Sequence, residues 1–267
     1  PYLLTIPPYG FYSFQLCANA ALPDWHEPAP ETMPDFETLV LRGPIAEGPV
    51  MAHHRGVLER DILPTYLSMR RWFAAKDKGI ASVHVKYVAE WPDRGEDLVL
   101  TELDVELKSG EHESYVLPLG IVWEDEPTPA RSTQLALARV RRGRRVGYLT
   151  DGFTLDAFAS GVIRGLRASK TVQAAKVQLR FIPEAGLSAI DFPTEVENRW
   201  LAAEQSNSSM IIADKGVLKV VRRITPGINP EVEVSRYLTH AGYANTAPLL
   251  GEVRRVAGDG EEATLAV

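Results

Sequence analysis

A single cysteine, Cys17, in 267 residues excludes an internal disulfide and a thiolate metal site. A reducing, cytoplasmic compartment is the expectation that follows. Positive charge is also short: 29 lysines and arginines stand against 35 acidic residues, a net charge of −6. Nucleic-acid backbones demand a basic face, so no nucleic-acid partner is expected. No run approaches the ~18 apolar residues that would mark a membrane-spanning helix. The six histidines form no HExxH or HxxxH pair, and adjacent His53 and His54 would point apart on a strand. Zinc needs several convergent ligands, so no metal centre is expected. Neither a GxGxxG nor a GxxxxGK phosphate loop is present. The opening residues, PYLLTIPPYG, have no Met and no basic flank. They read as a cut inside a longer gene product rather than a signal peptide.

What is present divides into four stretches. Residues 1–19 alternate (Tyr2, Leu4, Ile6, then Phe11, Phe14, Leu16) around the turn Pro7-Pro8-Tyr9-Gly10. Two such short strands cannot fold alone and must complete a sheet. Residues 20–50 hold six prolines and little periodicity, the mark of a linker. From 51 to 128 the pattern predicts one helix and three strands. Leu58, Ile62, Tyr66, Met69 and Phe73 recur at helical spacing over 57–73, with Pro64 as a kink or true start. Ala81 to Trp91, Val99 to Leu107 and Tyr115 to Trp123 alternate as strands, all odd-numbered residues of the first on one face. A helix over an antiparallel meander is the economical packing. From 129 to 267 a hairpin turning at Arg141–Arg144, an amphipathic helix over 153–167 and a strand around Val177–Phe181 come first. Alternating segments over 199–222, a helix capped by Asn229 with Pro230 in its first turn, and two final strands over 248–256 and 262–267 follow. The predicted fold class is α+β.

The stretch richest in chemistry is EQSNSSMIIADKGVLKVVRRITPGINPEVEVSRYL, residues 204–238. Gln205, Ser206, Asn207, Ser208 and Ser209 concentrate small hydrogen-bonding groups between two strands, suited to phosphate oxygens. Lys219 lies in an apolar strand, where it must snorkel or find a partner. Glu231 and Glu233 fall in the first turns of the next helix, favoured there by its dipole. A strand lysine held by a helix glutamate is the arrangement by which kinase small lobes position the α- and β-phosphates. An edge-strand lysine beside a solvated turn is the competing reading.

EQSNSS…VLKVVRRITPGINPEVEVSRYL resembles the ATP-lobe signature of bacterial maltokinases, in which EQSNTS, an ILK strand, RR…PG.NP and a helix E..R(Y/F)L follow in this order. LPTYLSMRRWFAAKDKGI, residues 63–80, resembles that family's N-terminal cap, and PYLLTIPPYGFYSFQL resembles the closing strands of trehalose synthase. Fused trehalose synthase–maltokinase polypeptides have this order. The resemblance implies that 1–19 close an amylase-family β domain and that 20–50 link it onward. It makes 51–128 a cystatin-like cap, a helix on an antiparallel sheet. Residues 129–267 become an intermediate subdomain and a kinase-like N-lobe of mostly antiparallel sheet with flanking helices. It further implies ATP and Mg²⁺ as cofactors and phosphorylation of maltose to maltose 1-phosphate. The partners implied are maltose, the chain's own trehalose synthase domain and a homo-oligomer, with no membrane. Carried over by residue, Gln205 to Ser209 cover the phosphates, Lys219 binds them, and Glu233 holds the lysine, with Glu231 the second candidate. The family's HGD.H..Q loop is missing from this sequence. The chain is therefore expected to stop before the C-lobe that carries the metal ligands, and to be catalytically inert alone. A docking module of the fused enzyme, or a kinase lobe for another small molecule, are the alternatives.

Other groupings have plainer readings. Trp72 and Phe73 are expected to pack in the core while Arg70 and Arg71 pair locally, rather than forming a sugar or phosphate site with Lys76. The five arginines between Arg139 and Arg145 suit a solvated hairpin turn. Glu102, Asp104 and Glu106 are expected on a solvent face rather than as acid–base carboxylates. Arg222 and Arg223 either help hold nucleotide charge or lie exposed at a strand end.

Overall fold

A computed structural model describes residues 8–11, 36–92, 97–127, 130–193, 198–200 and 207–267. The chain divides into a unit Pro1–Asp35 and a unit Phe36–Val267. In the first, a turn occupies residues 8 and 9, with Tyr9 in the left-handed region. The strands expected on either side of it, and Gln205 and Ser206, lie outside the described residues.

The second unit runs β1 (Thr38–Val40), α1 (Gly48–Val57), α2 (Leu63–Met69), β2 (Ile80–Glu90), β3 (Leu98–Leu107), β4 (His112–Trp123), α3 (Ala130–Gln134), β5 (Ala136–Arg142), β6 (Arg145–Asp151) and α4 (Asp156–Arg167). It continues with β7 (Thr171–Ala174), β8 (Val177–Pro183), β9 (Asn198–Trp200), β10 (Ser208–Ile212), β11 (Gly216–Val220), β12 (Arg223–Ile224), α5 (Pro230–His240), β13 (Gly251–Ala257) and β14 (Glu262–Ala266). This is α+β, as expected, and mostly sheet. One mixed sheet has the order β1-β5-β6-β4-β3-β2, with β12 added to β4; the other, antiparallel throughout, has the order β7-β8-β13-β14-β11-β10-β9.

The helix expected over 57–73 starts earlier and ends sooner. α1 and α2 are joined by a π-type turn at Leu58–Ile62, in which the Leu63 N–H reaches back to the Leu58 carbonyl. Pro64 then follows in the first turn of α2. A proline ring crowds the carbonyl four residues back, and the wider turn relieves that crowding. Residues 36–50, expected as linker, instead supply β1, which pairs in parallel with β5, and the start of α1.

The face assignment of β2 also changes partway along. Val83 and Val85 pack with Leu58, Ile62, Leu63, Tyr66 and Leu67 of the helical layer. Tyr87, Ala89 and Trp91 have the same parity but pack on the opposite face, with α4 and the second sheet. A register shift between Val85 and Tyr87 inserts the extra residue that turns the strand over. The first sheet is thereby covered on both faces. The covering of the second face explains why Glu102 is wholly buried rather than solvated. Its carboxylate takes Arg255 of β13 at 2.8 Å and Lys86 at 2.7 Å. Asp104 and Glu106 lie farther along β3 and remain partly exposed.

β4 is the strand both halves of the molecule share. Its Leu119–Trp123 end pairs with β6, and near its other end Ser114 and Tyr115 pair with β12. The arginine hairpin behaves as a solvated, paired turn: Arg139 meets Glu124 at 3.0 Å, Arg142 meets Asp97 at 2.7 Å and Arg145 meets Asp125 at 2.8 Å. Trp72 and Phe73 are buried against Tyr115, as expected. No helix among the described residues is long and apolar enough to cross a membrane.

Candidate functional site

β11 lies between β10 and β14 in the second sheet. Leu218 and Val220 are buried on its core face, while Val217 and Lys219 lie on the other. Backbone bonds fix Lys219 in place, its N–H to the Val267 carbonyl at 2.8 Å and its carbonyl to the Val267 N–H at 2.9 Å. In register across from it stands Ser209. Directly opposite residues of an antiparallel pair share a face, so the Ser209 side chain lies beside that of Lys219. Ser208 turns the other way and is buried, its hydroxyl accepting from Arg222 Nε at 2.8 Å. Asn207 is half-buried at the start of the described segment.

α5 approaches the lysine face with its N-terminus. The Asn229 side chain accepts from the N–H groups of Glu231 and Val232 at 2.9 and 3.3 Å, and Pro230 opens the helix, as the sequence predicts. Val232 is buried. The Lys219 ammonium, with a quarter of its side chain exposed (26%), forms an ion pair with Glu231 Oε2. The carboxylate at the lysine is therefore that of the second candidate. Glu233 is exposed and lines a cleft of about 720 Å³ between α5 and the β13–β14 hairpin, together with Arg236, Glu252 and Arg254. The helical repeat accounts for the difference: side chains two apart lie on different faces of a helix. Only one of the two glutamates can look at β11.

The far end of α5 is tied down by charge. Arg236 meets Glu184 at 2.7 Å and buried Glu252 at 3.3 Å, and His240 Nε2 lies 3.3 Å from Glu184. Burial alone would raise the Glu184 carboxyl; hydrogen bonds from Arg236 and His240 outweigh it and hold the group below the ordinary glutamate value of 4.5. A carboxylate lowered in the folded state stabilises at pH above its unfolded value and loses that contribution as the pH falls through the folded one. α5 is therefore expected to loosen below pH 4.5. Protection from amide exchange over 231–240, relative to the unfolded chain at the same pH, should fall in that range, and less steeply in Glu184→Gln.

Arg222 settles neither of its two expected ways. It is neither exposed nor turned toward the lysine face. Its guanidinium is buried with Asp151, each side chain 1% exposed, at 2.7 Å and 3.3 Å to the two carboxylate oxygens. The Tyr66 hydroxyl donates to Asp151 Oδ2 at 3.2 Å, and burial pushes that phenol well above its ordinary value. The rings of Trp72 and Phe153 lie 4.8 and 5.2 Å from the guanidinium carbon. Arg223, by contrast, is exposed and pairs with Glu113 at 2.9 Å. Sequence reasoning placed Tyr66 in the apolar helical stripe and gave neither it nor Asp151 a polar role. Asp151 ends an apolar strand, where a carboxylate should raise the question of a buried partner.

Tyr66, Trp72, Asp151 and Phe153 all come from one continuous stretch. Residues 66–154 match the family model of the Maltokinase N-terminal cap domain. The match takes in the end of α2 and the whole of β2 to β6. It supports a maltokinase N-terminal region in this chain and, with it, the context of a kinase-type enzyme. The maltokinase cap match ends at Thr154; Lys219, Glu231 and the serine-rich residues follow it in sequence. Among the described residues no three His, Cys, Asp or Glu side chains converge as a metal site.

Proposed function

We propose that the part of the chain after the cap match, residues 155–267, forms the ATP-binding lobe of a maltokinase, ATP and maltose giving ADP and maltose 1-phosphate. Lys219 contacts the α- and β-phosphates, Glu231 rather than Glu233 orients it, and Gln205 to Ser209 cover the phosphates. Ser208 anchors that loop through its side chain, while Ser209 faces the lysine. The observation that carries this reading is the ion pair between Lys219, partly buried on an inner strand, and the exposed Glu231, beside Ser209. The order β9-β10-β11-β14-β13, with α5 between lysine strand and final hairpin, supports it. Kinase small lobes place a phosphate-covering loop before a lysine strand and a glutamate-bearing helix after it.

Phosphoryl transfer is positioning and charge stabilisation rather than covalent work by the protein. In that division, this lobe fixes the triphosphate. The base, the Mg²⁺ ligands and the maltose pocket belong to the HGD-bearing half that the sequence does not contain. Fusion to a trehalose synthase through residues 1–35, a cytoplasmic location and homo-oligomer formation complete the reading. A second reading, an assembly module without nucleotide binding, draws on exposed apolar side chains around α5: Ile228, Val234, Tyr237 and Tyr243. Melting the chain with and without ATP·Mg²⁺ separates the two. The kinase-lobe reading expects the melting temperature to rise with ATP·Mg²⁺ and the rise to vanish in Lys219→Ala. No rise in the unaltered chain favours the assembly module.

A further inference from the structure

The buried guanidinium of Arg222 joins two parts of the chain that the sequence keeps far apart. On one side is the cap: Asp151 at the end of β6, Tyr66 in α2, and the rings of Trp72 and Phe153. On the other are the two arms of the β10–β11 hairpin at its open end. Ser208, the first residue of β10, accepts from Arg222 Nε at 2.8 Å. Val220, the last residue of β11, stands in register with Ser208 and lies two residues before Arg222. The Arg222 carbonyl accepts in turn from the Val116 N–H of β4 at 2.8 Å.

We infer that Arg222 and Asp151 are positioning residues through which the cap sets Ser208 and Ser209 beside Lys219. This deepens, and rests on, the nucleotide-lobe reading. The geometry requires little else. Ser208 opens β10, and the next residue, Ser209, is the one opposite Lys219. A guanidinium has a rigid planar fork, so a carboxylate gripping two of its nitrogens dictates where the third points. Here the third nitrogen holds Ser208. Asp151 is itself held from two sides, by the Tyr66 hydroxyl and by the Phe153 N–H on Oδ1 at 3.1 Å. The cap thus holds Ser208 through Arg222, while Lys219 has a separate anchor in its backbone bonds to Val267. None of these cap residues touches nucleotide. Their effect is on the distance between two groups that do.

The test compares the intact chain with Asp151→Asn, Ser208→Ala and Lys219→Ala. Melting curves first establish a temperature at which each is folded. Calorimetry there measures affinity for ATP·Mg²⁺ and for adenosine, and amide exchange is followed at residues 207–210. The expected result is that Ser208→Ala and Asp151→Asn bind ATP about tenfold more weakly, the worth of one charge-assisted hydrogen bond. Adenosine binding is unchanged and exchange at 207–210 is faster. A merely structural defect would weaken both ligands alike. Should Asp151→Asn not fold, Ser208→Ala, which removes one hydroxyl, carries the comparison alone. If folded Ser208→Ala binds ATP as the intact chain does while Lys219→Ala does not, the coupling is wrong and the nucleotide lobe stands. If Lys219→Ala is without effect, or the intact chain takes up no ATP, the lobe reading fails and the coupling with it.

Discussion

Replacing Arg222 by methionine is expected to destabilise the Phe36–Val267 unit by about 3–5 kcal/mol, the usual cost of removing one partner from a buried ion pair. The loss should appear as a fall of about 6–20 °C in melting temperature for a unit of this size. The magnitude comes from what is left behind rather than from what is removed. Asp151 stays 1% exposed, with a hydroxyl and an N–H as partners and no cation. Water cannot reach it without opening the packing of Trp72 and Phe153, both buried beside it. Changing both members, Arg222→Met with Asp151→Leu, is expected to cost less than Arg222→Met alone, because no charge is then stranded. Recovery should be incomplete, since the Tyr66 hydroxyl and the Phe153 N–H lose their acceptor. Urea unfolding of the two single variants and the double variant measures this. A double variant less stable than Arg222→Met would show that the pair is worth more than its desolvation, against the expectation.

The second large effect is expected at Trp91, the residue after β2. Its ring stacks on Phe158 of α4 at 4.5 Å and 8°, meets Phe181 edge-on at 5.7 Å, and donates its N–H to the Phe158 carbonyl at 3.0 Å. Trp91→Ala should cost about 3–5 kcal/mol through lost burial and the cavity left behind. The neighbouring Gly161 makes the claim sharper. A Cβ there would overlap Trp91 Nε1 and Cδ1, so this helix position is kept free of a side chain to admit the indole. Gly161→Ala alone should therefore destabilise by about 1–3 kcal/mol through overpacking, although alanine is the better helix former by about 1 kcal/mol. In the Trp91→Ala background the obstruction is gone. There the same substitution should become neutral or stabilising by up to about 1 kcal/mol. A four-protein cycle in urea reads the coupling directly. An equal penalty for Gly161→Ala in both backgrounds would mean that the helix, and not the indole, requires the glycine.

Much of the fold was readable because local signals agreed with one another. The α4 stripe Phe158, Ala159, Val162, Ile163 and Leu166 is buried as its spacing predicts, and Asn229-Pro230 starts α5 where capping chemistry puts it. What failed depended on contacts between distant segments. The flip within β2 is invisible to parity counting, because a bulge adds a residue without changing composition. The burial of Glu102 follows from Arg255 lying over it, 153 residues away in sequence. β1 is too short to declare itself among prolines and becomes a strand only by pairing with β5. For the candidate site, the sequence narrowed the lysine's partner to two glutamates and the helical repeat chose between them. Arg222 had no local signature for its destination, since its partner Asp151 lies 71 residues away.

The division of β4 between two sets of neighbours has a practical consequence for anyone cutting the gene. A piece trimmed to residues 66–154 would keep β6 on one end of that strand but strip β12 from the other, leaving the backbone around Tyr115 as an open edge. It would also retain Asp151 without its guanidinium and lose α1, whose helix continues into α2 through the π turn. Such a piece should pair its bared strand with other copies and precipitate. The smallest soluble product is expected to run from about residue 36, through β12 and on to the end of the second sheet. It should melt in one step, because peeling the cap away breaks the same hydrogen bonds that hold the lobe.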